Sequence, residues 1–513
     1  MTKPKTPDFK AGIDLATLPE GAMLAGRWQG KPVLLANHQG KYCALSATCT
    51  HQAGPLEQGI LANGEVHCPW HHARFSLATG EAIAAPAFSP LTRYGTRIRD
   101  GRLFITEPQP RSAPEAPAHT SRVVILGGGA GGYACAQWLL RFGFKGEITL
   151  VSDEADPPYD RTFCSKQYLS GEKSRKESLL VKSGRTAAAG DLNLRLGTKA
   201  QAIDAKGQSL LLESGEQLGY DILVLATGAQ PKRAQWPGSN LPNVHVLRTL
   251  RDADALVLAA RRARRVIVIG ASFIGLEVAA SLRQRKLAVH VVTPEDVPLK
   301  KLLGSDVGKM IQAVHEKQGV RFHFGRQVRE FDGKRVTLDN GHKLPTDFVV
   351  AGIGVTPRTE IAQASGLSCA AAEEGGGVIV NAQLETSQPG IFAIGDIARY
   401  PDPHTGESIR VEHWVHAERQ GQHVARIILG QAAPYKDVPF FWSAHFDTQL
   451  SYIGRVKSIL KTRTEGSVEA REFRRYYQGP NKQKAFASCN RDQESLIEEA
   501  AWDYAVASEP AGR

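Results

Sequence analysis

The sequence predicts a multi-domain chain in which a small all-β unit precedes two parallel-sheet α/β units and a C-terminal α/β unit. Residues 1 to about 107 alternate short apolar runs with Gly-rich turns, a pattern typical of short antiparallel strands. From Arg122 onward, buried-type strand runs alternate with helical stretches, which indicates βαβ units. Two Gly-rich strand–turn–helix starts lie about 143 residues apart, so this α/β pattern occurs twice.

Composition sets the expected limits of these units. A chain of 513 residues has room for three or four domains. Four prolines with Ala and Ser predict a semi-stiff linker at 108–120. The last segment begins with Val438-Pro-Phe-Phe-Trp-Ser and alternates again. We therefore expect the all-β unit at 1–107, the first α/β unit at 121–244 and 368–430, the second α/β unit at 245–367, and the C-terminal unit at 431–513.

Hydropathy and cysteine content indicate the compartment. The chain is 42% hydrophobic and 22% charged, which is normal for a soluble globular protein. No apolar run reaches the length of a membrane span, and the first residues lack the apolar core of a signal peptide. The seven cysteines show no disulfide framework. We therefore expect a cytoplasmic protein without a membrane span.

The net charge of +11 bears on the choice of partner. Basic residues concentrate at Arg261–Arg265 and in the last eighty residues. Such charge can steer an acidic redox protein to the surface, or it can simply keep the surface solvated. No nucleic-acid partner is expected, because no motif that reads bases is visible.

Four residues near the N-terminus have the spacing of a metal centre. Cys49 and His51 form a C-x-H motif, and after sixteen residues Cys68 and His71 form a C-x-x-H motif. Two Cys on one iron and two His on the other are the ligands of a Rieske [2Fe–2S] cluster. A zinc site is the alternative, although zinc fingers pair Cys with Cys and His with His. His72 also follows the motif, but the C-x-x-H spacing favours His71.

The loops around these ligands resemble those of Rieske ferredoxins. In high-potential Rieske proteins each loop has an extra Cys, and the corresponding positions here are Gly54 and Trp70. A Ser that bonds a cluster sulfur in that type corresponds to Ala73. The resemblance therefore implies a cluster at the lower, ferredoxin-like end of the Rieske potential range, because hydrogen bonds to sulfur raise the potential.

The first α/β unit begins with a dinucleotide-binding fingerprint. The buried-type strand from Arg122 enters a G-x-G-x-x-G at Gly127, Gly129 and Gly132, and a helical stretch follows. These glycines allow a tight turn, a close approach to pyrophosphate and close helix–strand packing. The next strand ends at Asp153, which is placed to bind a ribose hydroxyl, with Glu154 as the alternative. We expect a Rossmann-like fold.

The second α/β unit repeats this start with one change. Gly270, Ser272 and Gly275 follow a buried-type strand, and Ser replaces the middle Gly. The following strand ends at Thr293, where an acidic residue would favour NAD and a nearby Arg would favour NADP. Glu295 lies two residues further on and favours NADH. A turn that includes Gly354 closes this unit. The turn resembles one that lies beside the nicotinamide in known enzymes, and this resemblance implies the same position here.

Two strand–turn segments resemble signatures of flavoproteins that bind two dinucleotides. The first contains Thr227 and Gly228 and resembles an A-T-G motif, and the second contains Gly395 and Asp396 and resembles a G-D motif. The resemblance implies that Asp396 binds the ribityl chain of FAD. The alternative is that both are ordinary strand–turn junctions. Because both motifs are present in the expected order, the flavoprotein interpretation is favoured.

Two further segments point to one family. Pro158–Lys166 resembles P-Y-x-R-P-x-L-S-K, and Val411–Ala417 resembles an E-x-W segment. Both are typical of FAD-dependent pyridine-nucleotide oxidoreductases of the ferredoxin-reductase and apoptosis-inducing-factor type. The resemblance implies that Lys166 pairs with Glu277 beside the flavin as the catalytic pair. It also implies that the cofactor site contains Arg161, Glu412 and Trp414.

With the cluster motif in front, the whole chain resembles the Rieske-containing members of the apoptosis-inducing-factor-like group. This implies an oxidoreductase in which electrons pass from NAD(P)H through FAD and a [2Fe–2S] cluster to a one-electron acceptor. The acceptor would be a ferredoxin, an oxygenase or a small molecule, and a homodimer is a further expectation. The linker would let the cluster unit swing between the flavin and the acceptor.

Two other functions compete with this prediction. In the first, NADH reduction controls conformation or oligomerisation, and the protein acts as a redox sensor. In the second, Cys164 is the active thiol of a peroxide or thiol reductase. No C-x₄-C follows the first fingerprint, and by register Lys166 occupies the flavin-side position, so we predict that Cys164 is a small buried side chain.

Overall fold

The computed structural model describes residues 7–110, 120–180 and 192–508, so most of the predicted linker at 108–120 lies outside the described residues. The described residues before the linker form strands and short 3₁₀ turns. The strands are β1 (Ile13–Asp14), β2 (Met23–Trp28), β3 (Lys31–His38), β4 (Lys41–Ser46), β5 (Ile60–Ala62), β6 (Glu65–His67), β7 (Arg74–Ser76), β8 (Ala82–Ala84), β9 (Arg93–Arg99) and β10 (Arg102–Pro108).

Two antiparallel sheets make up this N-terminal unit. The larger sheet has the order β1-β10-β9-β4-β3-β2, and the smaller one has the order β5-β6-β7-β8. In β3 the run Val33–Ala36 is fully buried, and the Gly-rich turns between strands reverse the chain. One predicted ligand pair lies between β4 and β5, and the other lies in the turn between β6 and β7, where His67 pairs with Arg74. The predicted all-β unit is confirmed.

The next region begins a Rossmann-like sheet. Its core strand β11 is buried from Val123 to Leu126 and pairs in parallel with β12 and β17. The sheet has the order β13 (Leu192–Arg195), β12 (Glu147–Val151), β11 (Arg122–Leu126), β17 (Ile222–Leu225) and β29 (Ile391–Ala393), so its last strand comes from much later in the chain. The elements are β11 (Arg122–Leu126), α1 (Ala130–Arg141), β12 (Glu147–Val151), α2 (Thr162–Ser165), α3 (Gln167–Ser170), β13 (Leu192–Arg195), β14 (Ala200–Asp204), β15 (Ser209–Leu212), β16 (Gln217–Gly219), β17 (Ile222–Leu225) and β18 (Ala229–Pro231).

A second parallel sheet follows, with the order β19-β26-β20-β21-β22. Helix α4 begins after Thr249, whose hydroxyl accepts a hydrogen bond from the Asp252 amide at 3.1 Å in a capping box. The elements are β19 (Val244–His245), α4 (Leu250–Arg262), β20 (Arg265–Ile269), α5 (Phe273–Gln284), β21 (Ala288–Thr293), α6 (Lys300–Leu303), α7 (Ser305–Lys317), β22 (Arg321–Phe324), β23 (Val328–Phe331), β24 (Arg335–Leu338), β25 (Lys343–Pro345), β26 (Phe348–Ala351), β27 (Val355–Pro357) and α8 (Glu360–Ala364).

The chain then returns to the first parallel sheet and ends in an antiparallel sheet with a helix. The elements are β28 (Val378–Ile379), β29 (Ile391–Ala393), β30 (Ala398–Pro401), β31 (Ser408–Arg410), α9 (Trp414–Ile428), β32 (Phe440–His445), β33 (Thr448–Gly454), β34 (Lys461–Ser467), β35 (Glu472–Gln478), β36 (Lys484–Cys489) and α10 (Asp492–Ser508). The final sheet has the order β32-β33-β36-β35-β34.

Helices α1 and α9 cross at very short range. A Cβ on Gly421 of α9 would lie 2.1 Å from the backbone oxygen of Gly131 in α1, so α9 depends on glycine at the crossing. This contact positions the start of α9 against the fingerprint loop. None of the helices in the described part of the chain is long and apolar enough to cross a membrane.

The N-terminal unit is packed against the α/β region. We define the docking interface as His72, Arg74 and Ile83–Ala85 of the N-terminal unit against α9 and α10. Arg419 of α9 donates to the His72 carbonyl at 3.2 Å, and the Gln422 side chain accepts from the Ala85 amide at 2.9 Å. In the structure the cluster unit therefore rests directly on the α/β region, whereas its swing between the flavin and the acceptor stays a prediction.

Candidate functional site

The four predicted metal ligands lie together in two buried loops. The rings of His51 and His71 meet edge to face with centroids 4.9 Å apart. The thiols of Cys49 and Cys68 contact each other, which raises the pKa of Cys49 and lowers the pKa of Cys68. Burial lowers the pKa of His51, and it lowers that of His71 well below its ordinary value. Both imidazoles are therefore neutral, which is the form that binds a metal.

The space around these ligands fits an iron–sulfur cluster. A Cβ on Gly54 would lie 2.7 Å from the Cys68 sulfur, so only glycine leaves this sulfur free. The Nδ1 atom of His51 is buried and has no hydrogen-bond partner among the described residues. Within the same residues, no group of three or more His, Cys, Asp or Glu side chains is arranged around one metal position. A Cys pair beside a His pair is the arrangement of a two-iron centre.

His72 has a different role from its neighbour. Its backbone is left-handed, with φ of 60°, and its ring stacks on Phe440 with centroids 3.8 Å apart. Its Nδ1–H donates to the carboxylate of Glu499, which also accepts from Arg419. The ring therefore faces the docking interface, and this geometry supports His71 as the ligand.

A cavity of about 990 Å³ lies next to this centre, between the two parallel sheets and the C-terminal unit. Its lining includes both fingerprint loops and the first turn of α9. The sequence-predicted residues that line it are Gly127, Gly129, Asp153, Glu154, Arg161, Lys166, Thr227, Gly228, Ser272, Gly275, Glu277, Gly354, Gly395, Asp396, Glu412 and Trp414. This volume is within the range of sites for large cofactors.

Three predicted residues lie outside the cavity lining. A Cβ on Gly132 would lie 1.9 Å from the Gly127 oxygen, so this glycine allows helix–strand packing. Gly270 adopts φ of 101° and closely approaches the Gly352 oxygen, so it forms the turn. Glu295 accepts a hydrogen bond from the Thr293 hydroxyl at the end of β21. These positions therefore shape the site without lining it.

Ion pairs organise the end of the cavity near the first fingerprint. Asp153 accepts from Arg358 at 2.7 Å, and Glu154 accepts from Arg161 at 2.7 Å. Both acids line the cavity, so the two alternatives for the ribose ligand stay open. Asp396 accepts from Arg248 at 2.6 Å. Arg248 and Arg358 were missed from the sequence, because no motif marks them.

The predicted catalytic pair is assembled in the cavity. Lys166 Nζ donates to Glu277 Oε2 at 2.9 Å, and the Ser165 hydroxyl donates to the same oxygen at 2.6 Å. The Ser443 hydroxyl donates to Glu277 Oε1 at 2.7 Å. Glu277 is only 3% exposed, so these donors replace the water that a carboxylate needs. Ser443 was missed, although it follows the aromatic run that begins the last segment.

Strand β32 separates the metal loops from the catalytic pair. Side chains alternate along a strand, so Phe440 and Trp442 point to the opposite face from Ser443. The Trp442 ring lies 4.3 Å from the His71 ring, and Trp442 also lines the cavity. His51 Nε2 lies 4.0 Å from Asp160 Oδ2. The metal centre therefore adjoins the cavity through its histidine side.

Cys164 is not an exposed thiol. It is 2% exposed and packs with Tyr159, Leu250 and Ala253. Burial raises the pKa of Cys164 to about 12, so the reactive thiolate is scarce near neutral pH. All seven cysteines are free.

Comparisons with known proteins agree with both sites. The profile of the Rieske [2Fe-2S] domain matches residues 12–95. The profile described as pyridine nucleotide-disulphide oxidoreductase matches residues 121–421, which is more than half of the chain. The chain belongs to the pyridine nucleotide-disulphide oxidoreductase family. The family assigns FAD and NAD(P)H to the α/β region, and the Rieske match assigns a [2Fe–2S] cluster to the β unit in place of zinc.

Relatives share most of this architecture. Apoptosis-inducing factor 3 from Homo sapiens is 31% identical over 90% of this chain and 78% of its own length. Rhodocoxin reductase from Rhodococcus erythropolis is 35% identical over 68% of this chain and 82% of its own length. The covalent putidaredoxin reductase–putidaredoxin complex has a chain that matches with a TM-score of 0.69 and 30% identity, over 75% of this chain and 93% of that chain. This protein is an NAD(P)H-dependent electron-transfer flavoprotein.

Proposed function

We propose that this chain passes electrons from NAD(P)H through FAD to its own [2Fe–2S] cluster and then to a separate one-electron acceptor. The observation that supports this route is the position of Trp442, which both lines the cavity and packs on the His71 ring. Flavin chemistry supplies the conversion of a two-electron hydride donor into single electrons. The cluster unit rests on this side of the cavity, so the route needs no domain movement.

Two sets of residues that line the cavity are proposed to bind the two dinucleotides. We assign FAD to the first fingerprint at Gly127, to Arg161 and to Asp396, because these line the cavity and belong to the first α/β unit. The backbone N–H groups at the start of α1 point to where a pyrophosphate binds. We assign NAD(P)H to Ser272, Gly275 and Gly354, which line the same cavity and belong to the second α/β unit.

NADH is the nucleotide that we propose as donor. Glu295 at the end of β21 is acidic and would repel the 2′-phosphate of NADPH. The backbone oxygen of Glu295 accepts from the Gly325 amide at 3.1 Å, which holds this turn in position. Substitution of Glu295 by Gln should narrow the preference for NADH over NADPH, and an unchanged ratio of kcat/KM values for the two nucleotides would contradict the assignment.

Lys166 and Glu277 are proposed as the catalytic pair. The Lys166 ammonium would lie beside the reacting edge of the flavin, and Glu277 holds it there with a 2.9 Å bond. Substitution of Lys166 by Met should slow flavin reduction by about 100-fold, the size typical of losing one preorganised charged group. Anaerobic stopped-flow absorbance with NADH measures this rate, and reduction at the wild-type rate would exclude the role.

The ligands Cys49, His51, Cys68 and His71 are proposed to hold the cluster. Ala73 is fully buried where high-potential relatives have Ser, so its side chain cannot donate a hydrogen bond to a cluster sulfur. We therefore propose a potential at the lower end of the Rieske range. Redox titration followed by electron paramagnetic resonance measures this potential.

The acceptor and the setting of the protein are also proposals. The positive charge of the last segment supports an acidic carrier protein as the acceptor, and several relatives are named as ferredoxin reductases.

We further propose a cytoplasmic protein of four folding units, divided at the limits predicted from the sequence, that assembles as a homodimer. Strand β19 (Val244–His245) pairs with β26 in the second sheet. We therefore propose that the second α/β unit begins at residue 244 instead of 245. Light scattering of the purified protein measures the oligomeric state.

The experiment that tests the route mixes the oxidised protein with NADH under anaerobic conditions. We expect flavin absorbance to fall first and the paramagnetic signal of the reduced cluster to follow. In the Cys68→Ser variant the flavin change should remain and the cluster signal should be lost. In Trp442→Leu the flavin change should keep its rate and the cluster signal should appear more slowly. A wild-type cluster that stays oxidised would refute the route and support the redox-sensing alternative.

A further inference from the structure

A chain of buried hydrogen bonds extends from the catalytic pair through β32 to α7. The Ser443 hydroxyl donates to Glu277 Oε1 at 2.7 Å and lies 3.2 Å from His445 Nε2. His445 Nδ1 lies 3.2 Å from His315 Nε2. Ser443 and His445 are two residues apart on β32 and share a face, whereas His315 lies near the end of α7. The chain therefore connects three parts of the fold.

Both histidines are uncharged. His315 and His445 are each 0% exposed. Burial, followed by the nearby charge of Lys166, lowers the pKa of His445 to about 3. Burial, followed by the neighbouring His445, lowers the pKa of His315 well below its ordinary value. Each ring therefore has one N–H donor and one bare nitrogen acceptor.

The direction of every bond follows from this count. A carboxylate only accepts, so the single hydroxyl proton of Ser443 points to Glu277. Ser443 Oγ must then accept from His445, which places the His445 proton on Nε2 and leaves Nδ1 bare. His315 must donate from Nε2 to that bare atom. This leaves His315 Nδ1 as a bare acceptor, and it is indeed a buried atom without a partner among the described residues.

Few charges face this chain. Lys166 and Glu277 lie at one end. The rings of Phe322 and Phe446 pack around His315, with centroids 6.1 Å and 5.2 Å from its own. Phe273 of α5 lies 6.5 Å from the ring of His445. Aromatic packing and low dielectric make the loss of one bond costly, because no water replaces it.

We propose that His445 is a positioning residue for hydride transfer, with its tautomer set by His315. His445 holds the hydroxyl of Ser443 toward Glu277, and the bond from Ser443 keeps Glu277 oriented toward Lys166. The same logic operates where one side chain fixes the tautomer of a histidine that orients a reacting group. The proposal deepens the proposed function and rests on the role of Lys166 and Glu277 in it.

The consequence is electrostatic. When His445 no longer donates, the Ser443 hydroxyl is free to turn away from Glu277, and the carboxylate loses one of its three donors. Glu277 is then free to turn out of line with Lys166, so the positive charge of Lys166 is balanced less well. A less balanced cation beside the flavin favours its reduced form, so the flavin midpoint potential rises. A misplaced Lys166 also slows hydride transfer.

The test compares His445→Leu with His445→Gln in the full chain loaded with both cofactors. The Leu side chain has neither a hydrogen-bond donor nor an acceptor, whereas the Gln side chain keeps one of each. We expect flavin reduction by NADH to be about tenfold slower in His445→Leu, with a raised flavin potential, from the loss of one bond to a charged group. His445→Gln should recover most of the rate and the wild-type potential. His315→Phe should shift both quantities in the same direction as Leu.

His323→Leu is a matched control. The Nε2 atom of His323 lies 2.8 Å from Nδ1 of His290, and this histidine pair lies away from the catalytic pair. The proposal is overturned if His445→Leu keeps the wild-type rate and potential, or if Gln is as impaired as Leu at full flavin content. The measurement of the flavin potential does not depend on the signal of the cluster. Failure of the cluster to accept electrons would therefore refute the route and leave this test intact.

Discussion

The docking interface depends on one buried carboxylate, and its removal is the most direct test of how the cluster unit is held. Glu499 of α10 accepts hydrogen bonds from His72 and from Arg419. The side chains of these three residues are at most 6% exposed. Substitution of Glu499 by Gln keeps the shape of the side chain and removes its charge. We expect this variant to weaken the interface strongly.

The size of the effect follows from burial. Removing one partner of a buried ion pair costs about 3–5 kcal/mol, because the other charge stays buried without compensation. Arg419 also feels the charges of Asp437 and Asp503, and Gln still offers one oxygen as acceptor. The lower end of this range, about 3 kcal/mol, is therefore expected. At about 1.4 kcal/mol for each factor of ten, the open population of the interface should rise by about 100-fold.

Native-state amide hydrogen exchange measures this opening. The Ala85 amide donates to Gln422 across the interface, so it exchanges only when the cluster unit lifts. Its exchange should be about 100-fold faster in Glu499→Gln than in the wild type. Glu498→Gln is the matched control, because the neighbouring Glu498 accepts from the Tyr476 hydroxyl at 2.8 Å and faces away from the interface. Equal protection of Ala85 in all three proteins would refute the reasoning.

Three further predictions concern single side chains. Cys164→Ala should keep the NADH-dependent activity, because burial raises the pKa of this thiol to about 12, and a loss of turnover would revive the thiol-reductase alternative. Gly54→Ala should lower the iron and sulfide content per chain, since its Cβ would lie 2.7 Å from the Cys68 sulfur, and full content would disprove this crowding. Burial and then Asp437 raise the pKa of Asp503 to about 7. The folded state therefore holds a proton that the unfolded chain, with a pKa of about 3.9, has lost, so this stabilisation is present at low pH and disappears as the pH rises toward 7. Asp503→Asn should flatten that part of the curve of denaturation midpoint against pH, and an unchanged slope would contradict the assignment.

Local spacing explains why the ligands and fingerprints could be read without a structure. A cluster loop needs Cys and His within two or three positions, and a phosphate turn needs small residues at fixed intervals. Cys49 and His51, like Gly127 and Gly129, therefore appear as motifs in the chain. The two Rossmann-like sheets were predictable for the same reason, since buried parallel strands such as Val123–Leu126 are continuous apolar runs.

Contacts between distant segments left no comparable signal. His72 and Glu499 are 427 positions apart, and Ser443 and Glu277 are 166 positions apart. Each of these residues is an ordinary polar side chain until packing removes it from water. The contacts of Arg419 with the N-terminal unit left no signal either, whereas the proline-rich linker was visible in the chain.

The sequence by itself favoured a two-iron cluster over zinc and predicted two bound dinucleotides, because both kinds of site depend on residue types at short spacing. Its resemblance to known flavoproteins implied that one of these dinucleotides is FAD. Only the tertiary structure decided how the sites are joined, with His71 against Trp442 on one face of β32 and Ser443 against Glu277 on the other. That arrangement depends on the burial of whole surfaces, and the free energy of packing is a property of all the elements together.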